Sequence, residues 1–222
     1  MGVANNTLGL YVVFDGIIGC GKSAQINVLK TSLPHDFPQL NFLFTYEPGG
    51  NKEADLLRAK LKTMQMDSVE EMELFAQSRK ITLAQVVKPA LLSKKVVISD
   101  RSFTTSLAYQ AFGGRGLGID LVWSANKDIV NGLYPDILVY INVGIDAALK
   151  RSQSENPDKF DSESRSFWEK NVDGYSKMIN FVRKISPKTE IIEIVDPEGE
   201  KDIEEVSREI KEILYPKIDG VM

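Results

Sequence analysis

Residues 12–25, VVFDGIIGCGKSAQ, constrain this chain more than any other stretch. The apolar run LYVVF (10–14) reads as a buried strand. GIIGCGKS (16–23) follows, fitting G-x-x-x-x-G-K-[ST], and a helical pattern covers 22–32. Strand, glycine turn and helix in that order belong to an α/β domain. Gly16, Gly19 and Gly21 let the backbone turn so that successive N–H groups point at phosphate oxygens. The helix start adds its positive end. Gly16, Ile17, Ile18, Gly19, Cys20, Gly21, Lys22, Ser23 and Ala24 are therefore the expected ATP-binding set. Lys22 reaches the β- and γ-phosphates and the Ser23 hydroxyl ligates Mg²⁺. Cys20 reads as a small loop residue rather than a redox thiol.

Four more apolar runs are continuous rather than alternating: NFLFTY (41–46), KVVIS (95–99), DILVYINV (136–143) and EIIEIV (190–195). That is the mark of parallel strands covered on both faces. Helical patterns lie near 52–63, 68–92, 103–112, 119–132, 145–154, 162–184 and 200–214. The alternation predicts a doubly wound α/β domain; with the glycine loop added, the expected class is a three-layer P-loop NTP hydrolase-type fold, a five-stranded parallel sheet flanked by helices. Its ligands belong at the carboxyl ends of the strands. With 222 residues, 43% of them hydrophobic, one domain over 1–222 has core enough. No apolar run of membrane-spanning length occurs, and MGVANNTLGL lacks the charged and apolar segments of a secretory signal. A net charge of −4 argues against a duplex nucleic-acid partner. One cysteine allows no internal disulfide and suits a reducing, cytoplasmic setting. The lone His35, in a proline-bracketed loop, reads as solvated.

SDRSFTTSLAYQ begins where the 95–99 strand ends, so Asp100 and Arg101 stand on the same sheet edge as the glycine loop. Asp100 is the second candidate for the Mg²⁺ shell. Arg101 can clamp a phosphate with a two-pronged fork, as a lysine cannot. In ELFAQSRK, Phe75 and Arg79 are four apart on a helical pattern and share a face. A ring to stack on a base beside a guanidinium suits a nucleotide. Asn126, Lys127 and Asp128 are one residue short of the guanine-reading N-K-x-D spacing and precede a strand, so they read as helix surface.

In order along the chain, FDGIIGCGKSAQ, YEPGG (46–50), LFAQSR (74–79) with KPAL (88–91), DRSFTTSLAYQAFGGRG (100–116) and YPDILVYINV (134–143) resemble the thymidylate kinase family of nucleoside-monophosphate kinases. FWEKNVDGY (167–175) is similar to the family's helix after its lid. The resemblance implies that Phe75 stacks on the pyrimidine while Arg79 meets base and monophosphate. Arg101 would bind the acceptor phosphate and Ser106 the base edge. Tyr109 would lie beside the sugar 2′ position, Pro48 would shape the base pocket and Gln110 would face the nucleotide. A homodimer is also implied.

The chain departs from the family at four places. Ile18 replaces the loop acid that meets the sugar 3′-hydroxyl; Asp15, just before the loop, is the other acid at hand. Tyr46 precedes EPGG, and Ser102 follows Asp-Arg. The lid segment, 150–165, offers Arg151, Lys159 and Arg165, with lysine in the expected arginine place; Arg151 and Lys159 join Lys22 and Arg101 as the expected catalytic cations. The resulting expectation is transfer of the ATP γ-phosphoryl to a deoxynucleoside monophosphate, dTMP first, with Mg²⁺. Two alternatives stay open. One is a deoxynucleoside kinase with Glu47 as base toward a 5′-hydroxyl; the other is a nucleotide-dependent switch without transferase activity.

Overall fold

The computed structural model describes residues 8–152, 160 and 162–220. Five parallel strands, β1 (Tyr11–Asp15), β2 (Phe42–Tyr46), β3 (Val96–Asp100), β4 (Ile137–Val143) and β5 (Glu190–Asp196), form one sheet in the order β2-β3-β1-β4-β5. Their residues are apolar on both sides because helices cover both faces; Val12, Val13, Phe14, Val97, Ile98, Leu138 and Val139 are fully buried. All five strands lie where the apolar runs place them.

β1 pairs with β3 on one side and β4 on the other. After β3 the chain crosses over β1, so a crevice opens at their carboxyl ends. Backbone bonds close the other gaps along this edge. Glu47 N–H donates to Asp100 O at 2.9 Å, and Arg101 N–H donates to Phe14 O at 2.8 Å.

The helices are α1 (Lys22–Asp36), α2 (Lys52–Thr63), α3 (Ser68–Thr82), α4 (Lys88–Leu92), α5 (Phe103–Ser106), α6 (Ile119–Val130), α7 (Ile145–Arg151), α8 (Arg165–Ile185) and α9 (Ile203–Asp219). Capping boxes start α3 at Asp67/Glu70 and α9 at Asp202/Glu205. The single helix expected over 68–92 is interrupted by a π-helical stretch, Leu83–Val87. The one expected over 103–112 continues from α5 as a second π stretch, Leu107–Phe112. Periodicity cannot register one extra residue per turn, whereas π turns gather at functional sites. α8 lies directly on the second π stretch. A Cβ on Gly174 would stand 2.2 Å from Ala108 O, and one on Gly113 2.3 Å from the same atom.

Candidate active site

The glycine loop between β1 and α1 has the shape its sequence predicts. Gly16, Gly19 and Gly21 take φ of 147°, 68° and 98°, and a Cβ on Gly19 would lie 1.9 Å from Ala148 O. Lys22 is buried and folded back, its Nζ donating to Gly16 O and Ile17 O at 2.9 Å each and reaching Cys20 Sγ at 3.3 Å. Ile17 and Cys20 are buried and Ile18 is half-buried. Ser23 Oγ donates to Asp100 Oδ2 at 3.2 Å, while the buried Asp100 Oδ1 has no hydrogen-bond partner among the described residues. A hydroxyl and a carboxylate with spare lone pairs, side by side, fit a hydrated divalent cation.

The loop separates two clefts. One, of about 730 Å³, is lined by residues 19–25 together with Arg151, Asp196 and Lys201. Arg151 donates to Gly199 O at 2.5 Å and lies 3.7 Å from Asp196. It thus stands on the loop's outer side, away from Arg101. Lys159 lies outside the described residues. Arg165 pairs with Asp146 and Glu169 on the surface.

The other cleft, about 540 Å³, joins Ile18 and Ser23 of the loop to Pro48, Phe75, Asp100, Arg101, Tyr109 and Arg58. Arg101 holds a left-handed backbone, φ 74°, which costs about 1–3 kcal/mol for a residue with a Cβ. The bonds from Arg101 N–H to Phe14 O and from Ser99 Oγ to Arg101 O hold it there. The result aims the guanidinium into the cleft, 5.3 Å over the Tyr109 ring. Burial pulls its pKa down, but Tyr109, Tyr175, Asp15 and Asp100 more than offset this and leave it well above the ordinary value.

A narrower slot continues inward, lined by Glu47, Phe75, Arg79, Ser106, Tyr109 and Gln110 among others. Arg79 is 2% exposed, with four of its five N–H donors engaged. Its Nε donates to Glu47 Oε2 at 2.7 Å and its Nη2 to Ser106 Oγ at 3.1 Å and Ser102 O at 3.2 Å, while Nη1 donates to Asn126 Oδ1. Burial raises the Glu47 pKa, against the pull of Arg79 and with a push from Asp15. Among the described residues, Glu47 Oε1 and both polar atoms of Gln110 are buried without partners. Buried groups of this kind are satisfied by something, and here they face a slot. Asn126 corrects the reading of 126–128 as helix surface: Lys127 and Asp128 are exposed, but Asn126 is 1% exposed and supports Arg79.

Asp15 does not line either cleft. Its carboxylate accepts from Thr104 Oγ1 (2.6 Å), Thr105 Oγ1 (2.8 Å), the Tyr175 hydroxyl (2.5 Å) and Gly16 N–H (2.9 Å). Four donors fill it, so the Asp15 carboxylate is structural to the loop. Ile18 therefore faces the cleft without the Asp15 carboxylate beside it.

Sequence reasoning missed Arg58, Tyr175 and Arg115. Arg58 donates to Pro48 O at 2.7 Å and stacks over Tyr46 at 5.0 Å. Arg115 forks onto Glu71 at 2.9 and 3.0 Å and pairs with Glu163 at 2.6 Å. A signal existed for Arg115, a lone cation in the quoted GGRG. Asn126 and Tyr175 gave none, since their partners are remote in sequence.

A family model described as thymidylate kinase matches residues 14–210. The thymidylate kinase of Fervidobacterium nodosum is 36% identical over 204 residues, covering 92% of this chain and 98% of the relative. That of Leuconostoc mesenteroides is 35% identical over 218 residues, covering 94% and 98%. The crystal structure of thymidylate kinase from Ehrlichia chaffeensis superposes with a TM-score of 0.70 at 27% identity, covering 93% of this chain and 98% of that one. Sequence relatives and structural neighbour agree over nearly the whole length, and the chain belongs to the thymidylate kinase family.

Proposed function

We propose that this chain transfers the γ-phosphoryl group of ATP to the 5′-phosphate of dTMP, giving dTDP and ADP. A phosphate oxygen of the acceptor forms the new bond to phosphorus as the bridging oxygen leaves with ADP. The observation that carries the reading is a single cleft shared by the phosphate loop (Ile18, Ser23) and the acceptor residues Arg101, Phe75 and Tyr109. Two phosphates brought to that boundary meet in line, which is most of what this chemistry needs.

In this reading Lys22 leaves its backbone partners for the donor phosphates, and Arg101 takes the acceptor phosphate. Phe75 stacks on the base. Gln110, whose amide is unpaired among the described residues, meets the base edge together with Arg79 and Ser106. Tyr109 stands beside the sugar and Pro48 closes the slot. Arg151 serves the donor side. Ser23 and Asp100 would hold Mg²⁺, which when bound neutralises charge on the transferring group. Glu47, the base that a 5′-hydroxyl acceptor would require, is tied to Arg79 at 2.7 Å, which favours the monophosphate as acceptor. Leu56, Met64 and Val69 on the α2–α3 side are exposed and support a homodimer through the flanking helices, which sedimentation would test. The buried free thiol of Cys20 suits a reducing cytoplasmic setting.

The test is ADP release with ATP and a panel of dTMP, dUMP, dCMP, dGMP and thymidine. dTMP turns over fastest. Turnover of thymidine but not dTMP overturns the reading in favour of a deoxynucleoside kinase, and ATP binding with no acceptor at all overturns it in favour of a switch.

A further inference from the structure

Among the described residues, the carbonyl oxygen of Gly16 receives three donors. Lys22 Nζ lies at 2.9 Å, Arg101 Nη1 at 3.2 Å and the Tyr175 hydroxyl at 2.8 Å. A carbonyl oxygen has two lone pairs, so three donors share two places on a buried atom. Two of them have work elsewhere in the proposed reaction, Lys22 on the donor nucleotide and Arg101 on the acceptor. Tyr175 has none. It is 0% exposed on α8, and its one proton has two acceptors, Asp15 Oδ1 at 2.5 Å and Gly16 O. If that proton turns to Gly16, Asp15 Oδ1 still accepts from Gly16 N–H and Thr105.

We infer that Gly16 O is the shared resting place of the two substrate-binding cations, and that Tyr175 is a positioning residue that keeps this carbonyl hydrogen-bonded once both have left. The inference rests on assigning Lys22 and Arg101 to the two nucleotides. The free protein has three donors at the carbonyl. The first nucleotide, whichever it is, removes one and leaves two for two lone pairs. The second removes another and leaves Tyr175 alone. Without the hydroxyl, the second nucleotide strips the last donor from a buried carbonyl, and the first strips nothing essential. A residue that merely held α8 in place would weaken both steps alike.

The experiment is calorimetric titration of the wild type and Tyr175→Phe with a non-hydrolysable ATP analogue and with dTMP, each alone and each with the other saturating. Binary affinities stay within about twofold and the ternary affinity falls by roughly tenfold, the loss expected for an unsatisfied buried acceptor. Equal weakening of binary and ternary binding, or none, overturns the inference. Thr104→Val, which takes a donor from Asp15 but not from Gly16, leaves the binary-to-ternary ratio unchanged; a ratio shifted as in Tyr175→Phe overturns it too. Wild type that fails to turn over dTMP overturns the functional reading itself, and the inference with it. Should Tyr175→Phe not fold, wild type labelled with ¹³C at glycine carbonyls carries the test. The Gly16 resonance stays at its hydrogen-bonded position in the ternary complex, and an upfield move on the second addition overturns the proposal.

Discussion

Arg79 and Glu47 meet at 2.7 Å with both side chains 2% exposed, and they line the slot together with Phe75. The pair joins α3 to the end of β2 and leaves one carboxylate oxygen, in the slot, without a partner among the described residues. Removing one member of such a pair leaves a buried charge uncompensated. Arg79→Met is expected to lower unfolding free energy by about 3–5 kcal/mol, and Arg79→Met with Glu47→Gln to recover part of it. A double-mutant cycle by urea denaturation measures the difference; additive losses would show that the two are not coupled.

The same carboxylate sets a pH dependence. Burial raises the Glu47 pKa above its ordinary 4.5, despite Arg79. A raised folded value means that the folded state holds the proton longer than the unfolded chain does. The stability Glu47 contributes is therefore full below 4.5 and is lost as pH rises through the folded value. Glu47→Gln should flatten this part of the stability profile above pH 4.5, read from urea midpoints. An unchanged slope would place the titration elsewhere.

Ile18 faces the acceptor cleft while the Asp15 carboxylate is filled by Thr104, Thr105, Tyr175 and Gly16. A sugar hydroxyl laid against isoleucine finds no acceptor there. Ile18→Asp is expected to raise kcat/KM for dTMP by roughly tenfold and to leave 3′-deoxythymidine monophosphate unchanged. Steady-state kinetics on the two acceptors decides it, and equal gains would exclude a sugar contact.

Arg115 uses three nitrogens on two acids, forking onto Glu71 while pairing with Glu163, and it lies 4.7 Å from the Phe167 ring centroid. Lysine offers charge without the planar fork. Arg115→Lys should cost about 1.5–3 kcal/mol in thermal or urea unfolding, nearly as much as Arg115→Met. Full rescue by lysine would reduce the contact to simple charge balance.

The strands were legible because burial on both faces leaves an unbroken apolar run, as in Ile137–Val143. The glycine loop was legible because its function is written in backbone freedom and spacing, which are local. Arg101 followed from standing where a strand ends. What could not be read depends on distant partners. Asn126 sits in a helix with no sign that it faces inward, and only Arg79, 47 residues away, explains it. Asp15 looked available to a ligand until Thr104, Thr105 and Tyr175, 89 to 160 residues further on, were seen to occupy it. The π stretches escaped because hydrophobic periodicity does not resolve a single added residue.

Gly174 bears on how closely such a site can be held. A Cβ there would stand 2.2 Å from Ala108 O, so α8 rests closer to that backbone than any side chain at 174 permits, and Tyr175 is the very next residue. Even a methyl group at 174 would wedge the two segments apart and draw the neighbouring phenol off the phosphate loop. The tolerance of the loop's hydrogen bonds is thus set by a machined stop some way behind it, where absence of a side chain fixes the depth.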